Sequence, residues 1–122
     1  MVKVSKRFLD YFSSKHKSLG RNYSTEFGEG RDSCLLIAIE LAQKLREEKI
    51  EPTILKVMAD KDQDDWLIPR GYNPKIRWYV HIICSANGLI YDPLLKNPIS
   101  INKYSQRVFG RTLSFQEVNL TA

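Results

Sequence analysis

The chain has 122 residues and 14.2 kDa, 43% of them hydrophobic and 27% charged, enough for one domain around one core. No apolar run approaches the roughly 20 residues that a membrane-spanning helix needs. The formal net charge of +5 gathers at the two ends: residues 1–31 hold seven Lys/Arg against three acids, residues 96–122 hold four against one, and residues 32–95 hold eight against ten.

Residues 4–17 read as a first helix, because Val4, Phe8, Tyr11 and Phe12 recur at helical spacing among lysines. His16 lies in this basic segment and is expected to be exposed. Gly20 to Gly30 reads as a loop. Asp32 or Ser33 then caps a helix that runs to about Lys49 and stops at Ile50-Glu51-Pro52. Its first two turns, Cys34 to Ile39, are apolar all round, which places that end in the core. Thr53 to Met58 is β-branched and apolar, a strand. Residues 60–77 form a long polar loop, a length often tied to function. Within it, Trp66 and Tyr72 either line a substrate groove or pack back on the core. Asp60, Asp62 and Asp64 resemble the start of a calcium loop, but Asp65 stands where the turn glycine belongs, so no metal is expected. Two apolar runs follow, Trp78–Cys84 and Leu89–Asp92, and a late strand covers Thr112 to Val118.

The chemistry-bearing types in this order are Cys34, His81 and Asp92. A thiol at the first or second position of a helix meets unpaired backbone N–H groups and the positive end of the dipole, both of which favour the thiolate. Its own N–H could then help bind a developing oxyanion. Buried free cysteine is nevertheless common and inert, so Cys34 alone decides nothing. Asn87-Gly88 is a strong hairpin signal between two apolar runs. A two-residue loop sets Ile83 opposite Asp92 with His81 diagonal to it; a four-residue loop sets His81 directly opposite. Side chains alternate, so either register puts His81 and Asp92 on one face, whereas a three-residue loop separates them. Taken separately, His81 reads as a core histidine and Asp92 as a turn former before Pro93. A carboxylate that orients an imidazole explains both at once. Cys84 has the opposite parity and belongs to the core.

These residues resemble the papain-like and transglutaminase-like superfamily of Cys–His–Asp/Asn thiol enzymes. Asp32-Ser33-Cys34-Leu35 corresponds to the helix start, Trp78-Tyr79-Val80-His81 to the His strand, and Ile90-Tyr91-Asp92-Pro93-Leu94 to the third element. The run from Trp78 to Tyr104 is similar to bacterial protein-glutaminases and papain-fold toxin domains. In those, a proline-bearing segment and an aromatic helix follow the Asp, a part that Pro98, Ile99 and Tyr104 through Phe109 would play here. The papain signature around the nucleophile is absent, and no glutamine precedes Cys34. Asn22 or a backbone N–H of the Gly28–Asp32 loop would have to serve as the second oxyanion donor.

The resemblance implies an α+β, papain-like/transglutaminase-like fold over residues 1–122 as one catalytic domain, with a nucleophile-bearing helix packed on a small antiparallel sheet. It implies a thiol hydrolase or acyltransferase on protein or peptide amides: Cys34 as nucleophile, His81 as base, Asp92 as orienting group, and no cofactor. The partner is then a protein or peptide substrate, with an inhibitor or immunity protein if the domain is a toxin. The alternative is a non-catalytic module on the same scaffold whose basic ends hold an acidic partner. Nothing resembling a zinc finger, a phosphate-binding loop or an RNP motif supports nucleic-acid recognition, and no membrane partner is expected. Two cysteines and no continuous apolar leader point to a reduced, cytoplasmic protein, with export as an effector or toxin left open.

Overall fold

The computed structural model describes residues 3–25, 29–58, 67 and 80–119; the side chains of 18–25 and 29–34 lie outside that description. Trp66, Tyr72, the aspartates of residues 60–64 and Trp78-Tyr79 fall outside it as well.

Helix α1 spans Lys6–Thr25. Ser5 caps it, its Oγ accepting the Phe8 N–H at 3.0 Å. Glu48, from beyond the end of the next helix, accepts both the Ser5 N–H (2.9 Å) and the Ser5 hydroxyl (2.5 Å). A remote carboxylate thus completes the cap that a local Glu normally closes. The helix runs eight residues past the expected end at 17 and passes through Gly20, since helical hydrogen bonding continues where the apolar period has stopped.

Helix α2 spans Glu29–Glu47 and therefore starts ahead of the expected Asp32 or Ser33 cap. Its C-terminus closes as a Schellman turn: Ile50 N–H reaches Leu45 O at 3.0 Å and Lys49 N–H reaches Arg46 O at 2.9 Å. Lys49 takes the left-handed conformation, φ 61°, that this motif requires. Ile50 and Leu45 are both buried, the apolar contact that accompanies the motif. Helices α1 and α2 are antiparallel, for Ser5 meets Glu48 while Tyr11 and Lys15 meet Glu40.

Strands β1 (Thr53–Met58), β2 (Val80–Ala86), β3 (Leu89–Tyr91), β4 (Ile99–Ser100) and β5 (Ser114–Val118) form one antiparallel sheet in the order β4-β3-β2-β1-β5. Helix α3, Ile101–Phe109, lies between β4 and β5 in the chain. It ends at Gly110, whose φ of 71° lets its N–H return to Gln106 O. The fold is thus α+β, with three helices and a five-stranded antiparallel sheet.

Pairing assigns the two faces. Ile54, Cys84 and Tyr91 share one, and the Tyr91 ring meets Phe8 and Phe12 of α1 edge-on at 5.2 and 5.6 Å. That face takes α1 and α2. Val57, His81 and Phe115 share the other, where Tyr104 and Phe109 of α3 pack. Leu41, Leu45, Val57 and Ile90 are fully buried, so the core fills both sides of the sheet. Among the described residues no helix is long and apolar enough to cross a membrane.

Candidate functional site

The hairpin has the two-residue loop. Cys84 pairs with Tyr91, Ser85 with Ile90 and Ala86 with Leu89, leaving Asn87-Gly88 as the turn. Both turn residues have positive φ, 54° and 78°, which makes it the type I′ turn whose twist suits a hairpin. Continuing the register sets Ile83 opposite Asp92 and His81 diagonal to Asp92 on the same face.

The diagonal closes as a hydrogen bond. His81 Nε2 lies 3.0 Å from Asp92 Oδ2, and the two residues are 0% and 1% exposed. Asp92 has two further donors. Leu94 N–H gives to Oδ1 at 3.0 Å, an Asx turn, and the Tyr104 hydroxyl gives to Oδ2 at 2.5 Å. The turn is reinforced by Leu95 N–H on Asp92 O at 2.9 Å. Asp92 is therefore both turn former and imidazole partner, and the two readings of it do not compete. Because the carboxylate accepts from Nε2–H, the imidazole tautomer carries its lone pair on Nδ1. Any proton taken by His81 goes to that nitrogen.

Tyr104 was not among the residues expected at this site, although it belongs to the aromatic helix that the resemblance implies. Its signal was the spacing of Ile101, Tyr104, Ser105, Val108 and Phe109, one face of a helix on which only Tyr104 carries a phenol. Its ring is 0% exposed and stands 6.1 Å from each of Phe109 and Phe115, so the hydroxyl had to find a buried acceptor. Phe109 also meets the His81 ring edge-on at 6.2 Å.

Cys34 is the sixth residue of α2, and its side chain lies outside the described residues. This revises the expected first-turn position. The unpaired N–H groups of α2 belong to its first turn, beginning at Glu29, and the Cys34 N–H lies within the helical ladder. Cys34 N–H is therefore not an oxyanion donor, and Gly28 of the Gly28–Asp32 segment lies outside the described residues. Asn22 falls in α1 with its side chain outside the description.

The relative level of these elements follows from their contacts. Along β3 and the turn after it, Tyr91 meets Phe8 and Phe12, and Pro93 O then accepts from His16 Nδ1–H at 2.7 Å. The sequence Phe8, Phe12, His16 ascends α1, which in the antiparallel pair means descending α2 toward its N-terminal half. Strand β2 begins at that same end. The start of β2 with His81, the Asp92 turn and the half of α2 that carries Cys34 thus lie toward one end of the sheet, but His81 faces α3 while α2 packs on the opposite face. His16, expected on the surface, is half-buried there and ties α1 to the Asp92 turn.

No family model matches the chain, and no curated protein or solved structure matches it either. Its functional reading rests on its own geometry.

The second thiol is placed as its parity required. Cys84 is fully buried on the face opposite His81, and burial pushes its thiol up to about 12, with a small opposing pull from the Arg46 charge. It is protonated and unreactive at neutral pH. A separate polar cluster joins the helices: Tyr11 O–H and Lys15 both give to Glu40, and Lys44 lies 5.3 Å from the Tyr11 ring centre. Burial raises the Tyr11 phenol, and its hydrogen bond to Glu40 raises it further. On Glu40 burial acts upward, but the Tyr11 and Lys15 bonds and the Lys15 and Lys44 charges outweigh it and hold the carboxyl below its ordinary value. No group of three or more His, Cys, Asp or Glu suited to a metal occurs among the described residues.

Proposed function

We propose that this chain is a thiol hydrolase or acyltransferase of papain-like or transglutaminase-like type, acting on protein or peptide amides. The observation that carries the reading is the buried His81–Asp92 bond, made through Nε2. That bond orients the ring and makes Nδ1 the nitrogen that would accept a proton; for Cys34 to supply it, the thiol has to reach His81 around the end of the sheet, since α2 packs on the face opposite His81.

In the proposed reaction His81 Nδ1 takes the Cys34 thiol proton and the sulfur attacks the amide carbonyl carbon. The C–S bond forms, the C–N bond breaks, and protonated His81 gives its proton to the leaving amine. Water, deprotonated by His81, then attacks the thioester carbon, releasing the acid and restoring the thiol. With a peptide bond this is proteolysis; with a glutamine side chain it is deamidation, ammonia being the leaving group. An amine in place of water gives a crosslink. Asp92 holds the imidazole tautomer and stabilises the imidazolium.

Three observations favour the non-catalytic module instead: the imidazole is 0% exposed, it lies on the sheet face opposite α2, and Cys34 sits more than a turn inside α2, away from the strongest part of the helix dipole. Alkylation with iodoacetamide at pH 6 separates the two. The thiol enzyme has a Cys34 that reacts much faster than Cys84 and loses that advantage in His81→Ala. Equal, slow labelling of both cysteines in the wild type refutes the enzyme reading.

A further inference from the structure

We infer that Tyr104 is a positioning residue that sets the basicity of His81 by competing with it for one carboxylate oxygen. This rests on the reading of His81 as the proton acceptor of the site.

Asp92 Oδ1 is occupied by the Leu94 N–H, so its other two donors must share Oδ2. The Tyr104 hydroxyl stands at 2.5 Å from it and His81 Nε2 at 3.0 Å. The shorter contact falls in the range of charge-assisted O–H···O⁻ bonds, the stronger kind. Negative charge drawn toward the phenol is unavailable to an imidazolium on the same oxygen. Asp92 from the β3 turn and Tyr104 from α3 are titratable groups that face the imidazole or its partner. Phe109 adds an aromatic edge. With Asp92 alone, the buried pair would favour imidazolium strongly and leave His81 protonated, unable to accept a proton. With the phenol present, the same carboxylate still orients the ring but stabilises its charge less. Orientation and basicity are thereby set by different donors on one oxygen.

The site's arrangement differs from simple packing of a tyrosine in one measurable respect. A tyrosine whose hydroxyl merely needs an acceptor would leave the His81 titration where it is when replaced by phenylalanine.

The test is an NMR titration of the His81 ring in the full chain carrying Cys34→Ala, with and without Tyr104→Phe. His16 is the other histidine and serves as the internal reference. The expected result is a rise of the His81 midpoint by about one pH unit in Tyr104→Phe, with His16 unmoved. An unchanged or lowered His81 midpoint in a folded variant overturns the proposal. If Tyr104→Phe does not fold, 3-fluorotyrosine incorporation replaces it: the more acidic phenol should lower the His81 midpoint, and no change or a rise overturns the proposal equally. Because Cys34 is absent from these proteins, the outcome is independent of the alkylation test. A shifted midpoint alongside slow, His81-independent alkylation keeps the competition and discards the thiol enzyme.

Discussion

Replacing Asp92 with alanine removes the acceptor of three buried donors at once: His81 Nε2–H, the Tyr104 hydroxyl and the Leu94 N–H. With the residues at 1% exposure or less for Asp92, His81 and Tyr104, water does not replace the lost partner without rearrangement. An unsatisfied buried donor costs ~1–3 kcal/mol, and three such donors lose their acceptor here. The three losses share one cavity and relax together, so the expected destabilisation is about 4 kcal/mol rather than their sum. Against a typical domain stability of roughly 5–15 kcal/mol that is severe but measurable. Asp92→Asn is milder. Its carbonyl can face Oδ2's two donors while its amide faces the Leu94 N–H, losing one bond for about 1–2 kcal/mol. Urea unfolding of both variants by circular dichroism, with equal slopes against denaturant, reads the difference. The reasoning fails if Asp92→Ala costs under about 1 kcal/mol, or if the two variants cost the same, because either result means the carboxylate is not the hub of buried donors.

Burial and backbone conformation elsewhere in the sheet carry two further outcomes. Cys84 has its thiol pushed up to about 12 by burial, so the folded state keeps its proton where the unfolded chain loses it. Stability is whole below about pH 8.5 and falls as pH rises toward the folded value, at up to ~1.4 kcal/mol per pH unit. Burial raises Tyr91 in the same direction, with the neighbouring Cys84 and Glu48 charges adding to it. Cys84→Ala should flatten urea midpoints measured between pH 8.5 and 10.5, and a slope unchanged by that substitution would contradict the assignment. Gly88 has φ 78° and open space where a Cβ would stand, so Gly88→Ala is strained by backbone alone. It should cost about 1–2 kcal/mol without disturbing the His81 environment, as judged by its ring NMR shifts. A cost near zero would mean that the turn tolerates another conformation.

The hairpin was legible because its information is local. Asn-Gly fixes a turn type, and the turn type fixes the face on which every later side chain falls. The α+β class and β1 were readable for similar reasons, from apolar period and β-branched composition. The end of α1 and the start of α2 were not. Gly20 and Gly30 look like breakers, yet a glycine costs a helix only about 1 kcal/mol, which continued hydrogen bonding absorbs. Moving the start of α2 back to Glu29 is what took Cys34 out of the first turn. The Glu48–Ser5 cap and the His16–Pro93 bond join residues 43 and 77 positions apart, and nothing in local sequence announces such pairs. Tyr104 was visible as part of the aromatic helix that the resemblance implies but not as a donor, because its acceptor is identified only once α3 lies across the sheet.

The polar cluster has a consequence for how the chain pays its entropy of ordering. His81 and Asp92 are 11 residues apart, and Asp92 and Tyr104 are 12. Pairing His81 with Val57 closes a separation of 24 residues, and pairing Val57 with Phe115 closes one of 58. Each doubling of loop length adds about 0.6 kcal/mol of closure cost. Residues 80–109 therefore hold their buried hydrogen bonds through the shortest closures in the sheet, while β1 and β5 attach through longer ones. Loss of an outer strand would leave the imidazole, carboxylate and phenol still tethered to one another by short stretches of chain.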